Sequence, residues 1–325
     1  MRTPLGGTSA VESKGNMGKV IQFMHPGGQP LIRSPGRKDW NTGAHCRSFL
    51  KVQGASSRDV AGAAVTHCCL GVWAEWEAPA KAVSTGSPIA PTVFEPDAPV
   101  FPSRSGLQNT DPYIFDGPFL YSNCRQVRKN GNATQLRELE KGDVILFGSH
   151  LDGEFVLDTV FVVADSLLYR LATGSDELSS RVPKSFVEAT LRPLAGTQRP
   201  FCEESQPPAV CGPEECDDED ESASCGPPCA ESKAARYRLY WGATPQAPIN
   251  DMFSFAPARP LTDSVVPFRR PALTLQFISS GLRQNWRECP TISTPEAWAT
   301  IVTQVLGFGL ELGISFEVSE RKRSA

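Results

Sequence analysis

The sequence lacks an apolar run of the ~20 residues that a membrane-spanning helix needs, so we predict no membrane segment. Residues 1–16 are small and polar, and they lack the apolar core of a secretory signal peptide. Disulfides are rare in reducing compartments. These absences therefore predict a soluble, cytoplasmic protein whose ten cysteines are free thiols.

Several short motifs of common enzymes are also missing. The sequence has no Walker A loop, no Gly-x-Gly-x-x-Gly fingerprint after a strand, no His-Glu-x-x-His pair and no Gly-x-Ser-x-Gly nucleophile elbow. Each motif places a phosphate, a dinucleotide, a zinc ion or a serine nucleophile in a particular local structure. Their absence argues against the commonest NTPases, dinucleotide-binding enzymes, zinc proteases and α/β-hydrolases.

An excess of basic residues is absent as well. The formal net charge is −4 and the pI is about 5.7. This balance argues against a protein whose whole surface neutralises phosphates. A local basic groove remains compatible with it, because the acidic run Asp217–Glu221 contributes five negative charges to the sum.

The residues that are present indicate a globular protein with one domain, whose sequence is interrupted by an insertion. The chain has 325 residues, and 40% of them are hydrophobic, which leaves ample material for a core. We predict a disordered extension over 1–16 and a β-rich core over 17–195. A cysteine-rich acidic insertion over 196–235 is expected to be disordered or held by zinc. Strand patterns resume over 236–320, which we expect to complete the same domain.

The most predictable local structure lies between residues 136 and 166. Gly142-Asp143 is typical of a turn, and Val144–Phe147 is a short apolar run rich in strand-forming residues. Phe155–Val163 is a longer run of the same kind, and Asp152-Gly153 between the two runs is a hairpin signal. These residues predict an antiparallel strand pair.

Two later segments have patterns of their own. Phe186–Leu191 is apolar enough to predict a strand. Residues 294–308 predict a helix, because Ser293 is a good cap, Pro295 suits the first turn and the apolar residues recur at helical spacing.

Aromatic and hydrogen-bonding residues alternate in two stretches, one near residue 40 and the other over Asn109–Gln126. Aromatic rings can stack on a planar base, amides can read its edge, and arginines can contact phosphate. The opposing interpretation is that the rings are core and the polar groups fix a long loop. The candidate ligand-binding residues are His25, Trp40, Asn41, Arg47, Trp76, Tyr121, Asn123, Arg125 and Gln126.

Three further groups allow other chemistry. Cys124 becomes a candidate nucleophile if a histidine such as His45 lies beside it, with Glu77 as a possible acid or base. Alternatively, Cys124 is a small buried residue. Asp158 interrupts an apolar run, so it either points outward or needs hydrogen bonds inside the protein. Cys211-x4-Cys216 and Cys225-x3-Cys229 have spacings that zinc sites use, and the alternative is an insertion without metal.

The segment from Leu139 to Val163 resembles the Gly-Asp strand and following strand of PUA-like domains, including the EVE, ASCH and nucleotide-modification-associated branches. The resemblance implies an α+β fold in which a small mixed β-barrel with flanking helices is elaborated by long loops and an insertion. It carries over Gly142 and Asp143 as fold markers, and no functional residue.

The same resemblance implies a nucleotide, modified base or nucleic acid as the partner, in the manner of bacterial or phage nucleic-acid modification proteins. The sequence indicates no cofactor apart from the zinc alternative. Two other functions stay open: an enzyme acting on a nucleotide or nucleic acid through Cys124, and an interaction protein that recruits a partner or zinc through its cysteine-rich insertion.

Overall fold

Part of the chain can be described at the level of single residues. The computed structural model describes residues 18–24, 47–62, 64–78, 80–83, 93–98, 110–128, 132–196, 236–262, 267–279, 286–289 and 292–320. The predicted extension and insertion lie outside these ranges. So do the candidate residues His25, Trp40, Asn41, His45, Cys211, Cys216, Cys225 and Cys229.

Strands dominate the described residues. The strands are β1 (Val20–Met24), β2 (Arg47–Ser57), β3 (Val65–Glu75), β4 (Ala80–Val83), β5 (Val93–Ala98), β6 (Leu120–Tyr121), β7 (Val144–Leu151), β8 (Glu154–Arg170), β9 (Arg236–Gly242), β10 (Ala256–Pro260), β11 (Trp286–Glu288), β12 (Glu311–Glu317) and β13 (Ser319–Glu320). The helices are α1 (Gly174–Leu178), α2 (Lys184–Phe186), α3 (Arg192–Gly196) and α4 (Thr294–Gly307), with a 3-10 turn at Gln135–Arg137 and a π-helical turn at Val187–Leu191. The expected mixed, β-rich fold is confirmed at this level.

The strands form two mixed sheets. Six strands follow the order β11-β1-β7-β8-β9-β6, with β1 and β7 parallel and the other pairs antiparallel. The second sheet follows the order β12-β10-β3-β2-β5-β13, with β4 on β5. In it, β12 pairs with both β10 and β2, so β2, β3, β10 and β12 close into a ring. Strands from both sides of residues 197–235 take part in both sheets.

The predicted hairpin is confirmed. β7 and β8 pair antiparallel around Asp152-Gly153, and both turn residues have positive φ, of 53° and 85°. The Gly142-Asp143 turn is also present: Gly142 has φ 92°, and the Asp143 carboxylate accepts hydrogen bonds from the backbone N–H groups of Lys19 and Glu140. The turn therefore fastens the start of β1 to the start of β7.

β8 is longer than the sequence predicted. A register shift between Val163 and Asp165 lets it leave β7 and continue to Arg170 as the partner of β9. A second shift lies opposite Phe147 and Gly148 of β7, where Thr159 and Leu157 have Cα partners and Asp158 has none. Bulges of this kind re-aim a side chain. The second one directs Asp158 into the protein.

The prediction of a strand over Phe186–Leu191 is wrong. These residues are helical, and they follow Pro183, which cannot continue a ladder but suits a helix start. A short apolar run does not distinguish a strand from a buried helical turn. The predicted C-terminal helix is confirmed as α4, with the Ser293 hydroxyl accepting a hydrogen bond from the backbone N–H of Glu296.

Two clusters of buried apolar side chains fill the molecule, one of them centred on Tyr113, Tyr121 and Phe147. The other includes Trp298 and Ile301 on the inner face of α4. Among the described residues, no helix has the length and apolar character to cross a bilayer.

Candidate functional site

A cluster of charged side chains lies buried where the two sheets meet. The buried polar centre consists of Arg47 on β2, Glu75 on β3, Ser149 on β7, Asp158 on β8 and Arg270 from the segment after β10. All five residues are at most 2% exposed. Burying an unpaired charge costs several kcal/mol, so each charged group here needs a partner.

Arg47 links the two sheets. Its Nη1 donates to Glu75 Oε2 at 2.7 Å, across a directly opposed pair of β2 and β3. Its Nε donates to Asp158 Oδ2, also at 2.7 Å. Burial alone lowers the pKa of the guanidinium, but the two carboxylates outweigh that effect and raise the pKa above its ordinary value. Arg47 is therefore a permanent cation.

Arg270 approaches the same carboxylate from the other side. Its Nη1 donates to Asp158 Oδ1 and to Ser149 Oγ, both at 2.8 Å. The guanidinium carbon also lies 5.8 Å from the centre of the Trp73 ring, within the range of a cation–π contact. Asp158 thus carries one guanidinium on each oxygen. This settles the alternative left open for Asp158: it faces inward and is fully hydrogen-bonded.

Three donors of the centre have no acceptor. Arg47 Nη2, Arg270 Nε and Arg270 Nη2 are buried and unpartnered among the described residues. Nε and Nη2 of one guanidinium lie side by side and form the fork that binds two adjacent acceptor atoms. Asp158, Ser149 and Trp73 therefore fix the guanidinium of Arg270, while the two donors of its fork have no acceptor among the described residues.

Another buried carboxylate, that of Asp111, organises the segment that contains Asn123 and Cys124. Asp111 Oδ1 accepts from the backbone N–H of Ser122 at 2.8 Å, and Oδ2 accepts from those of Asn123 at 2.9 Å and Cys124 at 2.8 Å. Burial raises the pKa of Asp111 to about 7, although the three N–H donors lower it. Asp111 holds this loop as one rigid unit.

The two buried clusters are connected through β3 and the segment that follows it. Glu75 belongs to the polar centre, and two residues later the backbone N–H of Glu77 donates to Thr110 Oγ1 at 3.1 Å. Thr110 precedes Asp111 in the chain. The structure therefore brings Arg47, Glu77 and the loop at Asn123 into one connected region, while Trp40 lies outside the described residues.

The two described aromatic candidates are packed in the core. Trp76 is 0% exposed and contacts Tyr113 and Phe115 edge to face or tilted. Tyr121 is also 0% exposed, and its ring stacks on Tyr240 at 5.7 Å between centroids. Neither ring presents an open face. Their role in this structure is packing, and a stacking contact with a ligand stays a prediction.

The amide and arginine candidates have different surroundings. Gln126 makes two hydrogen bonds with the backbone of Arg238: Nε2 donates to its carbonyl at 2.7 Å, and Oε1 accepts from its N–H at 2.8 Å. It therefore continues the ladder at the edge of β9. Asn123 is 8% exposed and donates to Ser122 Oγ. Arg125 is half-buried, has φ 59°, and its carbonyl accepts from Thr134 Oγ1.

The alternative function predicted from the sequence is catalysis by Cys124 with a histidine beside it. Cys124 is 4% exposed, and its carbonyl accepts from the Tyr121 hydroxyl at 2.6 Å. Its suggested partner His45 lies outside the described ranges, so the nucleophile stays a prediction. Within those ranges, no group of three or more His, Cys, Asp or Glu side chains is arranged to hold a metal ion.

An arginine-rich surface lies on one side of the β8–β9 ribbon. The arginine face consists of Arg137, Arg170, Arg236 and Arg238, with the exposed Leu168 among them. The register places Arg170 opposite Arg236 and Leu168 opposite Arg238, so these side chains share one face of the ribbon. Arg238 donates to the carbonyl of Arg137 and to Ser166 Oγ, and Arg137 donates to the carbonyl of Arg236.

Sequence reasoning missed Asp111, Arg270 and the arginine face. Arg270 stands in no recognisable motif, and Asp111 was included only as part of a longer segment. The alternation Arg236-Tyr-Arg238 on a predicted strand was the available signal for a basic face. Searches of this chain against family models, curated proteins and solved structures found no match.

Proposed function

We propose that the chain binds a nucleotide or a modified base, and that the base edge contacts the buried polar centre. We also propose that the fold is related to PUA-like domains and that the protein acts in bacterial or phage nucleic-acid modification. The binding proposal is supported by the unpartnered fork of Arg270 and by the unpartnered Nη2 of Arg47, which belongs to the same centre. Unsatisfied buried donors cost about 1–3 kcal/mol each, so an acceptor at this place is strongly favoured.

The charge balance of the centre selects the kind of acceptor. Two guanidinium groups face two carboxylates, those of Glu75 and Asp158, so their formal charges sum to zero. A buried phosphate would add an uncompensated negative charge, which is costly in a low-dielectric interior. A neutral group with two adjacent acceptors, such as the O6 and N7 edge of guanine, fills the fork without that cost. We therefore assign a base edge to the centre rather than the phosphate first expected at Arg47.

Access to the centre is restricted. Arg47 and Arg270 are each 1% exposed, so the surrounding packing must open before a ligand reaches the fork. Binding that requires a conformational change is slower than the usual ~10⁵–10⁷ M⁻¹s⁻¹. We expect association to be slow and limited by this opening.

The experiment compares two neighbouring arginines. Arg270→Lys keeps the charge and removes the fork, while Arg269→Lys makes the same change on a side chain that is 62% exposed. Nucleoside 5′-monophosphates, including methylated and hydroxymethylated cytosine forms, are titrated against the fluorescence of tryptophan, with Trp73, whose ring contacts Arg270, as the reporter. A good bidentate contact is worth about 1–3 kcal/mol, which corresponds to roughly 5- to 150-fold in affinity.

We expect Arg270→Lys to weaken binding by a factor in that range and Arg269→Lys to leave it unchanged. Circular dichroism of both variants checks that the fold is retained. Equal effects of the two substitutions would contradict the proposal. So would the absence of any response to millimolar nucleotide in the unsubstituted protein.

A further inference from the structure

The arginine face carries a charge pattern that the nucleotide-binding proposal does not use. We propose that this face binds the phosphate backbone of a nucleic acid, so that the ligand is a polymer rather than a free nucleotide. The inference rests on the proposed function for the identity of the partner, and it deepens that function by naming the substrate class.

The geometry of the face suits a chain of phosphates. Arg236 and Arg238 are two residues apart on one strand, a separation of about 6.8 Å at the rise of a β-strand. Arg170 lies directly across from Arg236 on β8. Arg236 and Arg238 thus follow one another along β9, and Arg170 lies beside Arg236 on β8, so successive phosphates of an extended strand can contact them in turn.

Hydrogen bonds hold part of the array in place before any ligand arrives. Arg238 is half-buried, and its Nε and Nη1 are fixed by the Arg137 carbonyl and Ser166 Oγ, both at 3.0 Å. Arg137 in turn donates to the carbonyl of Arg236 at 3.1 Å. Pre-organised guanidinium groups lose less conformational freedom when they bind phosphate.

Among the described residues, the contact of Glu138 with Arg137 is the ion pair that links a carboxylate to the arginine face. Glu138 pairs with Arg137 at 3.3 Å and is 56% exposed, so this contact is weak and easily exchanged. Leu168 is 42% exposed in the middle of the arginines and can pack against a sugar or a base. The arginine face holds its basic groups in fixed positions and includes one apolar residue. Such a surface favours a nucleic-acid backbone over an anionic membrane, because a membrane can also bind basic groups that are not held in place.

The test measures the salt dependence of oligonucleotide binding. The double substitution Arg170→Gln plus Arg236→Gln removes two exposed charges of the face. The control, Arg192→Gln plus Arg269→Gln, removes two charges from exposed arginines elsewhere, which are 65% and 62% exposed. Fluorescence anisotropy of labelled single-stranded DNA, duplex DNA and RNA is recorded from about 50 to 200 mM salt.

Each lost phosphate contact reduces the slope of log K against log salt by about 0.7 for a single strand and about 0.9 for a duplex. We expect the face variant to lose about 1.4 in slope on single strands and several-fold in affinity at low salt. The control variant should keep the slope of the original protein. Equal losses in the two variants would overturn the assignment, as would equally salt-sensitive binding to vesicles rich in anionic lipid.

The two proposals fail in different ways. If mononucleotides bind through Arg270 and the face variant binds oligonucleotides normally, the face is wrongly assigned and the nucleotide site stands. If mononucleotides do not bind and the face variant alone loses oligonucleotide affinity, the nucleotide site is wrong and the face stands.

Discussion

Asp158 is shared by two guanidinium groups, and its position at a bulge of β8 makes that sharing possible. Each carboxylate oxygen serves a different arginine, so no other side chain of the centre can replace it. Strand β7 contributes Gly148 at the bulge, where a Cβ would lie 2.4 Å from the Val156 carbonyl oxygen and from the ring of Phe155. The local backbone and the buried charges therefore depend on one another.

We predict that Asp158→Asn lowers the free energy of unfolding by about 3–5 kcal/mol, because Arg270 would remain charged and buried without a counter-ion. The matched change is Glu95→Gln, which breaks the ion pairs of this part-exposed carboxylate with Lys51 at 2.9 Å and with Lys81 at 3.8 Å. It should cost no more than about 1 kcal/mol, because these pairs are accessible to solvent. Urea denaturation of both variants measures the difference. Similar costs for the two substitutions would show that the centre contributes no more than a surface pair.

Asp111 predicts a pH dependence of stability. Its pKa is raised from the ordinary 3.8 to about 7, so the folded protein holds this proton more tightly than the unfolded chain does. The stabilisation is complete below the ordinary pKa and is lost as the pH rises through about 7. The total is on the order of a few kcal/mol, at 1.36 kcal/mol per pKa unit.

Denaturation at pH 5 and pH 8 tests this dependence, with Asp111→Asn as the control that cannot titrate at this position. We expect the original protein to lose stability between the two pH values, and the variant to show a smaller loss. An identical change in both proteins would assign the pH dependence to other groups.

At the level of elements, the closed ring of β2, β3, β10 and β12 depends on close backbone approach. Gly54 of β2 faces β12, and a Cβ at Gly54 would lie 2.3 Å from the carbonyl oxygen of Ser315. We predict that Gly54→Ala costs about 1–3 kcal/mol or more, because the strand backbone would have to move apart. Gly307→Ala at the end of α4 meets nothing within 4 Å and should stabilise the protein by about 0.5–1 kcal/mol. Thermal unfolding of both variants measures these changes in stability. A Gly54→Ala variant that is as stable as the original protein would contradict the close approach of β2 and β12.

Elements with complete local signals could be predicted from the sequence. The hairpin turn at Asp152-Gly153 and the Ser293 cap of α4 each need only neighbouring residues, and both are present. Phe186–Leu191 was wrongly predicted as a strand because its four apolar residues carry no period that distinguishes a strand from a helix. The extension of β8 to Arg170 depends on β9, which joins it from a distant part of the sequence.

At the scale of the whole molecule, charge is divided unevenly. Residues 202–229 contain nine carboxylates and no basic side chain, so their removal changes the formal net charge from −4 to +5. We predict that replacing them by a short Gly-Ser linker increases affinity for oligonucleotides at low salt, since long-range repulsion falls. The gain should shrink at high salt, because exposed charges are then screened. A loss of affinity measured by anisotropy would show instead that this segment contributes favourable contacts.

The sequence indicated part of the candidate site and could not indicate the rest. Arg47 stood among the candidates because polar and aromatic residues cluster before it, and Asp158 was conspicuous in an apolar run. Arg270 could not be recognised as a site residue from the sequence, because its role depends on a contact with Asp158, 112 residues away in the chain. The arginine face arises from the pairing of β8 with β9, which alternation within one strand does not specify.

The most direct test of the proposed function is a crystal structure of the protein with the nucleoside monophosphate that binds best in the titrations. The proposal predicts electron density for a base whose two adjacent acceptor atoms lie within hydrogen-bonding distance, about 2.7–3.2 Å, of Arg270 Nε and Nη2. Density for the nucleotide at another place, with the Arg270 fork still unpaired, would contradict it.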